Sequence, residues 1–282
     1  MATVSDPLFI HPMPRGARPG DIFALTGAEA KHAQVKRLKE GEGVMVSDGS
    51  TTAVRGQWTQ GGVRIVSELQ VRAPRPFVTV VQALPKADRA ELAVDLMVQA
   101  GADRIVPWAA ERSIASWRGK EAKARAKWEN AARAAAKQAR RLRIPEVTEL
   151  AGSVADIGAL RPGGYDATPP SADFTRTLVV LHEAAHTPLA QAPLDVDEVV
   201  LIVGPEGGVA DGELADLAAL GAHPVVLGPE VLRTATAAAI ALGALGALTP
   251  RWDQQQGQRA EETPQPRDLQ LPRPGDPARG EH

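Results

Sequence analysis

The chain has 282 residues and a nearly balanced charge, with 32 lysines and arginines against 34 aspartates and glutamates. This length allows one large or two ordinary domains. The absence of cysteine excludes disulfides, thiolate metal sites and a cysteine nucleophile, and suits a reducing cytoplasm. The N-terminal segment lacks the cationic and then apolar pattern of a secretion signal, and no apolar run is long enough to span a bilayer. We therefore expect a cytoplasmic protein without a membrane or metal partner.

Residues 1–75 read as short β-segments separated by glycine turns. The segments are DIFALTG, GEGVMVSDG, TTAVRGQW and GGVRIVSELQV. Strands at this spacing predict a small β-barrel. Pro74 and Pro76 predict a stiff hinge after it.

Residues 76–252 alternate between strand and helix patterns and predict one α/β domain with a mostly parallel sheet. The predicted strands lie in VTVVQAL, RIVPW, PEVTEL, RTLVVLHE, EVVLIVGPEGG and HPVVLG. Four helices are predicted: one closing on Gly101, a long Ala/Lys/Arg helix to about Leu142, one over 211–220, and TATAAAIALGALGAL. An irregular Gly/Pro patch covers 161–170, and the Pro/Gln-rich composition of 253–282 predicts a disordered tail.

The balanced total charge hides a basic segment between Arg112 and Arg143. It carries eleven Lys/Arg against two acids, Glu121 and Glu129, a local balance of 11 − 2 = +9. On a helical wheel the apolar face holds Trp128, Ala132, Ala135, Ala139 and Leu142, and the basic face holds Lys120, Lys123, Lys127, Arg133, Lys137 and Arg140. Helix faces that only contact solvent normally carry both positive and negative side chains. We therefore favour RNA phosphate as the partner of this face over solvent alone.

The stretch LIVGPEGGVADGE, residues 201–213, ends a predicted strand in a glycine-rich turn. It lacks the spacing of a dinucleotide site and the Lys-Ser/Thr of a P-loop. Glu206 inside the turn would repel pyrophosphate, so we expect an uncharged or cationic group at this point. Two other loops, LHE at 181–183 and LGPEVLRTATAA at 227–238, also follow strands, and three loops beyond strand carboxyl ends predict one pocket.

These motifs resemble the RsmE family of SPOUT methyltransferases. The resemblance rests on GPEGG and LGPEVLRTATAA, preceded by K.DRAELAV, PWAAERS and KWENAARAAAKQARRLRIPEV, and covers nearly all of 8–250. It implies methylation of N3 of a uridine in small-subunit (16S) ribosomal RNA with S-adenosylmethionine. It also implies an N-terminal PUA-like RNA-binding barrel, suggested by KHAQVKRLKEGEGVMVSDG, a deep trefoil knot in the C-terminal domain, and a homodimer acting on the small ribosomal subunit.

The resemblance also implies roles for individual residues. The cofactor-binding set is Leu181, His182, Glu183, Gly204, Pro205, Glu206, Gly207, Gly208, Leu227, Gly228, Leu232 and Thr234. Arg233 and Thr234 fall at the reactive end, where we expect the Arg233 cation to stabilise the developing uracil anion. The RNA-binding set is Arg112, Gln138 and Arg141 by position, and Lys123, Lys127, Lys137, Lys36 and Arg37 by charge.

The sequence departs from the family pattern at two positions. Ala235 stands where the family has glutamate, so we place no general base there. Ala210 removes a hydroxyl that would cap the next helix, and Asp211 is expected to take over one residue later. Glu206 has two candidate roles, proton acceptor or acceptor of backbone N–H bonds that hold the loop, and we favour the second.

Two other functions stay open from the sequence. One is a ribose 2′-O-methyltransferase of tRNA or ribosomal RNA in the same superfamily. The other is an RNA-binding assembly factor without activity, which Ala235 makes conceivable. The target uridine, and the choice between naked RNA and an assembled subunit, are also open.

Overall fold

The computed structural model describes residues 6–164 and 171–252. The predicted tail, 253–282, and most of the irregular patch, 161–170, lie outside the described residues. Among the helices of the described part, none is long and apolar enough to cross a membrane.

The first sheet has five short strands. They are β1 (Leu8–Ile10), β2 (Ile22–Phe23), β3 (Gly43–Ser47), β4 (Ala53–Thr59) and β5 (Gly62–Leu69), in the order β1-β3-β4-β5-β2. β1 runs parallel to β3, and the other pairs are antiparallel. Helix α1 (Gly27–Lys36) buries Ala33 against the sheet.

A closed barrel was expected here, and the strand order does not show one. The edge strands β1 and β2 are not paired with each other in the described part of the chain. They are only three and two residues long, so they offer few backbone groups for closing a ring. β1 itself was not predicted, because three residues are too few for a period-2 pattern to stand out.

The second sheet has six strands, all parallel. They are β6 (Phe77–Ala83), β7 (Arg104–Trp108), β8 (Glu146–Val147), β9 (Arg176–Leu181), β10 (Glu198–Val203) and β11 (His223–Val225). The order is β11-β9-β10-β6-β7-β8. Five of the six predicted strand segments contain one of these strands, and VTVVQAL, residues 78–84, overlaps β6, which begins one residue earlier at Phe77.

Helices cover both faces of this sheet. They are α2 (Ala90–Ala100), α3 (Glu121–Gln138), α4 (Val154–Gly158), α5 (Asp211–Ala219) and α6 (Thr234–Leu248). Alternating side chains of β10 separate the two cores: Val199, Leu201 and Val203 pack with α2, α3 and α6, whereas Val200 and Ile202 pack with α4 and α5. The layers are therefore helix, sheet, helix.

Two helices differ from the prediction. α3 ends at Gln138 and not near Leu142, because Arg140 adopts a left-handed backbone (φ 55°) that no α-helix continues through. α4 was not predicted. It is only five residues long, and Ser153 and Asp156 form a capping box at its start.

A buried charge network joins four strands at their amino ends. Glu198, which is fully buried, accepts hydrogen bonds from Thr79 Oγ1 (2.6 Å), Arg104 (2.7 Å), Arg176 Nε (2.7 Å) and the backbone N–H of Gly163 (2.8 Å). Burial lowers the pKa of Arg104, and the Glu198 carboxylate opposes that shift. The network lies at the edge of the sheet opposite to the loops that follow the strands.

The end of α6 is fixed by a second buried pair. Arg251, 1% exposed, contacts Asp103 at 2.8 Å, donates to the carbonyl of Pro76 at 2.6 Å and also donates to that of Gly101. Asp103 in turn accepts from the backbone N–H of Val78 at 2.9 Å. The chain is thus anchored up to this residue, just before the predicted tail.

The two sheets meet through the end of α3. Lys137 Nζ lies 2.7 Å from Glu29 Oε2 on α1, and Arg133 donates to the carbonyl of Ile10 at 2.9 Å. Ser47 Oγ donates to the carbonyl of Leu142, and the N–H of Ile144 donates to Gly49 O at 3.0 Å. Basic residues late in α3 therefore hold the two parts of the protein together.

Candidate active site at the strand carboxyl ends

One cavity of about 810 Å³ lies beyond the carboxyl ends of β9, β10 and β11. The three loops predicted to form one pocket all line it. Every residue of the predicted cofactor set is on its wall: Leu181, His182, Glu183, Gly204, Pro205, Glu206, Gly207, Gly208, Leu227, Gly228, Leu232 and Thr234. Arg233 and Arg112 line it as well. The structure thus brings these positions together, while their individual roles remain predictions.

The glycine loop after β10 is shaped by close contacts. A Cβ on Gly204 would lie 2.8 Å from the side chain of Val209, and one on Gly207 would lie 3.1 Å from Cβ of Arg112. Gly208 has φ 74°, a conformation that L side chains rarely adopt, and open space where a side chain would be. The backbone of this loop is therefore accessible to a bound molecule.

Glu206 holds the glycine loop to a neighbouring loop. Its Oε1 accepts the backbone N–H of Lys86 at 3.3 Å. This is the favoured of its two predicted roles, although the N–H comes from the loop after β6 and not from its own turn. Lys86 belongs to a group that also lines the cavity, with Asp88 and Arg89. Only the K.DRAELAV motif drew attention to this group from the sequence.

The loop after β9 is tied to the loop after β11. The N–H of His182 donates to Val225 O at 3.0 Å, and that of Val226 donates to Thr187 O at 2.9 Å. The imidazole Nδ1 of His182 accepts from the N–H of Ala184 at 3.2 Å, which assigns the proton of a neutral ring to Nε2. Backbone hydrogen bonds thus link two of the loops that form the cavity wall.

The amino end of α6 points into the cavity. Arg233 is the residue before the helix, and its carbonyl accepts from the N–H groups of Thr236 and Ala237 at 2.9 Å. Its side chain is exposed, whereas Thr234 and Ala235 are buried. A helix start and an arginine together make this end of the cavity electropositive. A carboxylate is absent from position 235, on the buried side of the same turn.

The start of α5 corrects one prediction. Asp211 does not cap the helix; it is the first helical residue, with a fully exposed side chain. Glu213 caps the start of the helix instead, because its Oε2 accepts the backbone N–H of Ala210 at 3.1 Å. Its Oε1 accepts the N–H of Glu111 at 2.8 Å, so it also fixes the AERS segment beside the cavity. The sequence signal for this role is an acid at the third helical position, where the carboxylate of a capping box stands.

Arg112 connects the same two segments. Its guanidinium lies 3.5 Å from the carbonyls of Gly207 and Val209 and 4.0 Å from Asp211, and it stays about half exposed. It is therefore placed at the cavity rim with part of its surface open to a second molecule.

The other predicted RNA-binding residues divide into two groups. Lys123, Lys127, Gln138, Lys36 and Arg37 are exposed. Lys36, Lys137 and Gln138 line a second cavity of about 500 Å³, which lies between the first sheet with α1 and the end of α3.

Lys137 and Arg141 were predicted to bind RNA, but other groups of the protein already occupy both side chains. The Lys137 ammonium is paired with Glu29, and the Arg141 guanidinium donates to the carbonyls of Val98 (2.8 Å) and Ala102 (2.7 Å) and to Asp103 (3.2 Å). Both side chains are less than one-fifth exposed. The helical wheel could not reveal this, because the partners lie on other parts of the chain.

The wall of the main cavity combines apolar groups with charges of both signs. Its acids include Glu183, Glu206 and Glu230, and its bases include Lys86 and Arg233. Such a wall suits a ligand with an apolar body and both positive and negative groups. No three His, Asp or Glu side chains of the described residues are grouped closely enough to hold a metal ion.

Comparisons with known proteins agree with this architecture. Residues 72–246 match the family model described as RNA methyltransferase domain. Ribosomal RNA small subunit methyltransferase E of Mycobacterium tuberculosis is 40% identical over 242 residues, covering 83% of this chain and 89% of that protein.

Two solved structures share the fold. One is a ribosomal RNA small subunit methyltransferase E from Neisseria gonorrhoeae bound to S-adenosyl methionine, with a TM-score of 0.73, 24% identity, and coverage of 86% of this chain and 98% of that chain. The other is a methyltransferase from Legionella pneumophila with bound cofactor SAM, with a TM-score of 0.69, 28% identity, and coverage of 86% and 98%. This chain belongs to the ribosomal RNA small subunit methyltransferase E family, RsmE.

Proposed function

We propose that the protein methylates N3 of a uridine in small-subunit (16S) ribosomal RNA, with S-adenosylmethionine as methyl donor. The observation that carries the proposal is the single cavity formed by three strand-end loops, with Arg233 at the helix start that faces it. The family assignment supports the substrate class. Cytoplasmic location follows as part of the same proposal.

The cavity fits the methyl donor. About 810 Å³ lies within the range of small-molecule sites, and the accessible backbone at Gly208 and Gly228 allows close approach. Leu181, Leu227 and Leu232 offer apolar contacts for an adenosine, and carboxylates such as Glu183 suit a cationic ligand. When bound, S-adenosylmethionine supplies a methyl group already activated by its sulfonium.

The residues of the chain then have two tasks. The first is to hold the uracil ring in line with the methyl group, which lowers the entropic part of the barrier. The second is to stabilise the negative charge that spreads over the uracil carbonyls as N3 loses its proton to solvent water, before the N3–methyl bond forms and the methyl–sulfur bond breaks. We assign that task to Arg233, and Thr234 lies next to it on the cavity wall. Glu206 keeps the glycine loop in place and is not assigned a proton-transfer role.

Calorimetry with S-adenosylmethionine tests the cofactor site and separates an enzyme from a pure RNA-binding factor. We expect saturable binding by the parent protein. Gly228→Val should abolish it, because a Cβ at Gly228 meets only Glu230 at 3.6 Å and the larger side chain would occupy the cavity without disturbing the fold. Gly212→Val is the matched control, since Gly212 has open space around it and lies outside the cavity. The absence of binding by the parent would contradict the proposal.

The exposed lysines before and early in α3 are proposed to contact RNA phosphate. Lys120, Lys123 and Lys127 are all exposed, whereas Lys137 of the same helix is paired with Glu29. Replacing the three by alanine should weaken RNA binding and lower the slope of log affinity against log salt by roughly 0.7–0.9 per lost contact. Affinity for S-adenosylmethionine should not change.

Lys137→Ala is the control for this helix. It removes a lysine whose ammonium already has a carboxylate partner, so it should affect stability and leave the salt slope unchanged. An unchanged slope in the triple variant would mean that these lysines are simply solvated.

We also propose the assembly and topology of the family for this chain. α6 is apolar along its length and leaves Ile240 and Leu248 nearly half exposed, which suits a homodimer contact. The segment after β11 passes beside residues 187–189 before entering α6, and we propose the SPOUT trefoil knot for this region from the family assignment. The open five-stranded sheet is proposed to be the PUA-like RNA-binding module, acting on the small ribosomal subunit.

A further inference from the structure

The loop that follows β7 is held firmly beside the active-site cavity. On one side, Glu111 and Arg112 are fixed to the start of α5 and to the glycine loop. On the other side, Trp117 is buried and packs edge-on against Trp128 of α3, with ring centroids 5.2 Å apart. Ser113 N–H donates to Ala110 O at 2.9 Å and tightens the turn between these anchors.

Ile114 projects from this loop into solvent. Its side chain is 72% exposed, although its neighbours Ala110 and Trp117 are buried. Single exposed aliphatic residues are common on protein surfaces. Ile114 differs in being on a loop fixed at both ends, between the exposed cations Arg112 and Arg118.

Ile114 is also close to the cavity. Arg112 lines the cavity, and two residues of fully extended chain span at most about 7 Å. An RNA strand whose phosphates lie against Arg112 and Arg118 would therefore bring its bases to Ile114. The two arginines on either side of Ile114 favour an anionic partner over a cationic one.

The proposed reaction requires a uridine that is free of its neighbours. N3 lies on the pairing edge of the base, so a stacked or paired uridine cannot present it to a buried site. Proteins that open base stacks commonly insert an apolar side chain between neighbouring bases. We propose that Ile114 is a positioning residue of this kind: it inserts into the RNA stack next to the target uridine while that base occupies the cavity. This inference rests on the proposed function.

The test uses a small-subunit RNA fragment that carries 2-aminopurine next to the target uridine. Its fluorescence reports unstacking without any chemistry, and methylation is measured separately. With parent protein we expect increased fluorescence. With Ile114→Ser we expect little increase and a loss of kcat/KM of about tenfold, the scale of one lost base contact. Affinity for S-adenosylmethionine should be unchanged, and Ile114→Leu should restore both signals.

A second RNA and a control variant separate positioning from general damage. An abasic nucleotide beside the target uridine removes the stack that Ile114 would open, so Ile114→Ser should methylate this RNA nearly as fast as the parent. Leu220→Ser, which changes another exposed aliphatic residue, directly after α5 and outside the cavity, should behave like the parent on both RNAs.

Three results would overturn the inference. The first is equal methylation rates and equal fluorescence for the parent and Ile114→Ser. The second is a loss of methylation rate in Ile114→Ser that the abasic RNA does not relieve. The third is a change of oligomeric state in Ile114→Ser, which would make Ile114 a contact between copies of the chain. Unstacking by the parent without methylation would instead refute the proposed function and leave the role of Ile114 standing. If the parent neither unstacks nor methylates the RNA, the proposed function and the role of Ile114 are both refuted.

Discussion

Replacing Arg233 by alanine is expected to slow methyl transfer by about 10²–10³-fold, as does removal of one preorganised donor from an oxyanion site. Arg233 lines the cavity at the amino end of α6, and its exposed side chain leaves it free to face the uracil. An interaction made only in the transition state lowers turnover without lowering ground-state affinity. Binding of S-adenosylmethionine and RNA should therefore remain nearly normal, while single-turnover rates fall.

Two further variants sharpen this prediction. Arg233→Lys should recover only part of the rate, because an ammonium keeps the charge and loses the planar paired donors of a guanidinium. Arg161→Ala should keep the full rate, since Arg161 pairs with Glu146 away from the cavity. Parent-like single-turnover rates in Arg233→Ala, or simple loss of cofactor binding, would refute the catalytic role of Arg233.

Glu198→Gln is expected to lower the free energy of unfolding by about 3–5 kcal/mol, the typical effect of breaking a buried ion pair. The substitution keeps the shape of the side chain and removes its charge. Arg104, only 1% exposed, would then lack its counter-charge, and Arg176 would lose the carboxylate that it also contacts. Denaturant titration with both variant and parent measures the difference.

Glu146→Gln is the matched control for this substitution. Glu146 pairs with Arg161, but both side chains are well exposed, so the loss should be at most about 1 kcal/mol. Because the Glu198 network lies at the amino ends of the strands, Glu198→Gln should retain activity at temperatures where it is folded. Equal stability of the two variants would show that the buried network is neutral.

The elements of the parallel sheet were predictable because their patterns are strong. After Glu198, β10 is a continuous apolar run of mostly β-branched residues, and α2 closes on Gly101, which adopts φ 110° as expected for a residue that ends a helix. The three loops were predicted to meet because parallel strands present their carboxyl ends at one edge of the sheet. All of the predicted cofactor residues lie on that edge as a result.

Pairings between distant charges were not predictable. Nothing near Glu198 in the sequence indicates that Arg104 is its partner, since β10 and β7 lie on either side of β6. In the sequence Lys137 belongs to a basic helix face, whereas in the structure it pairs with Glu29 of α1. Arg141 likewise matched an RNA-facing position, although its guanidinium donates hydrogen bonds to Asp103 and to two backbone carbonyls.

Nucleoside mass spectrometry of ribosomal RNA tests the central proposal most directly. Small ribosomal subunits and their purified RNA, both from cells that lack this protein, are incubated with it and S-adenosylmethionine. The account predicts that N3-methyluridine, missing from the untreated RNA, appears at one position in at least one of the two substrates. A 2′-O-methylated nucleoside in its place, or no new methylated nucleoside in either substrate, would contradict it.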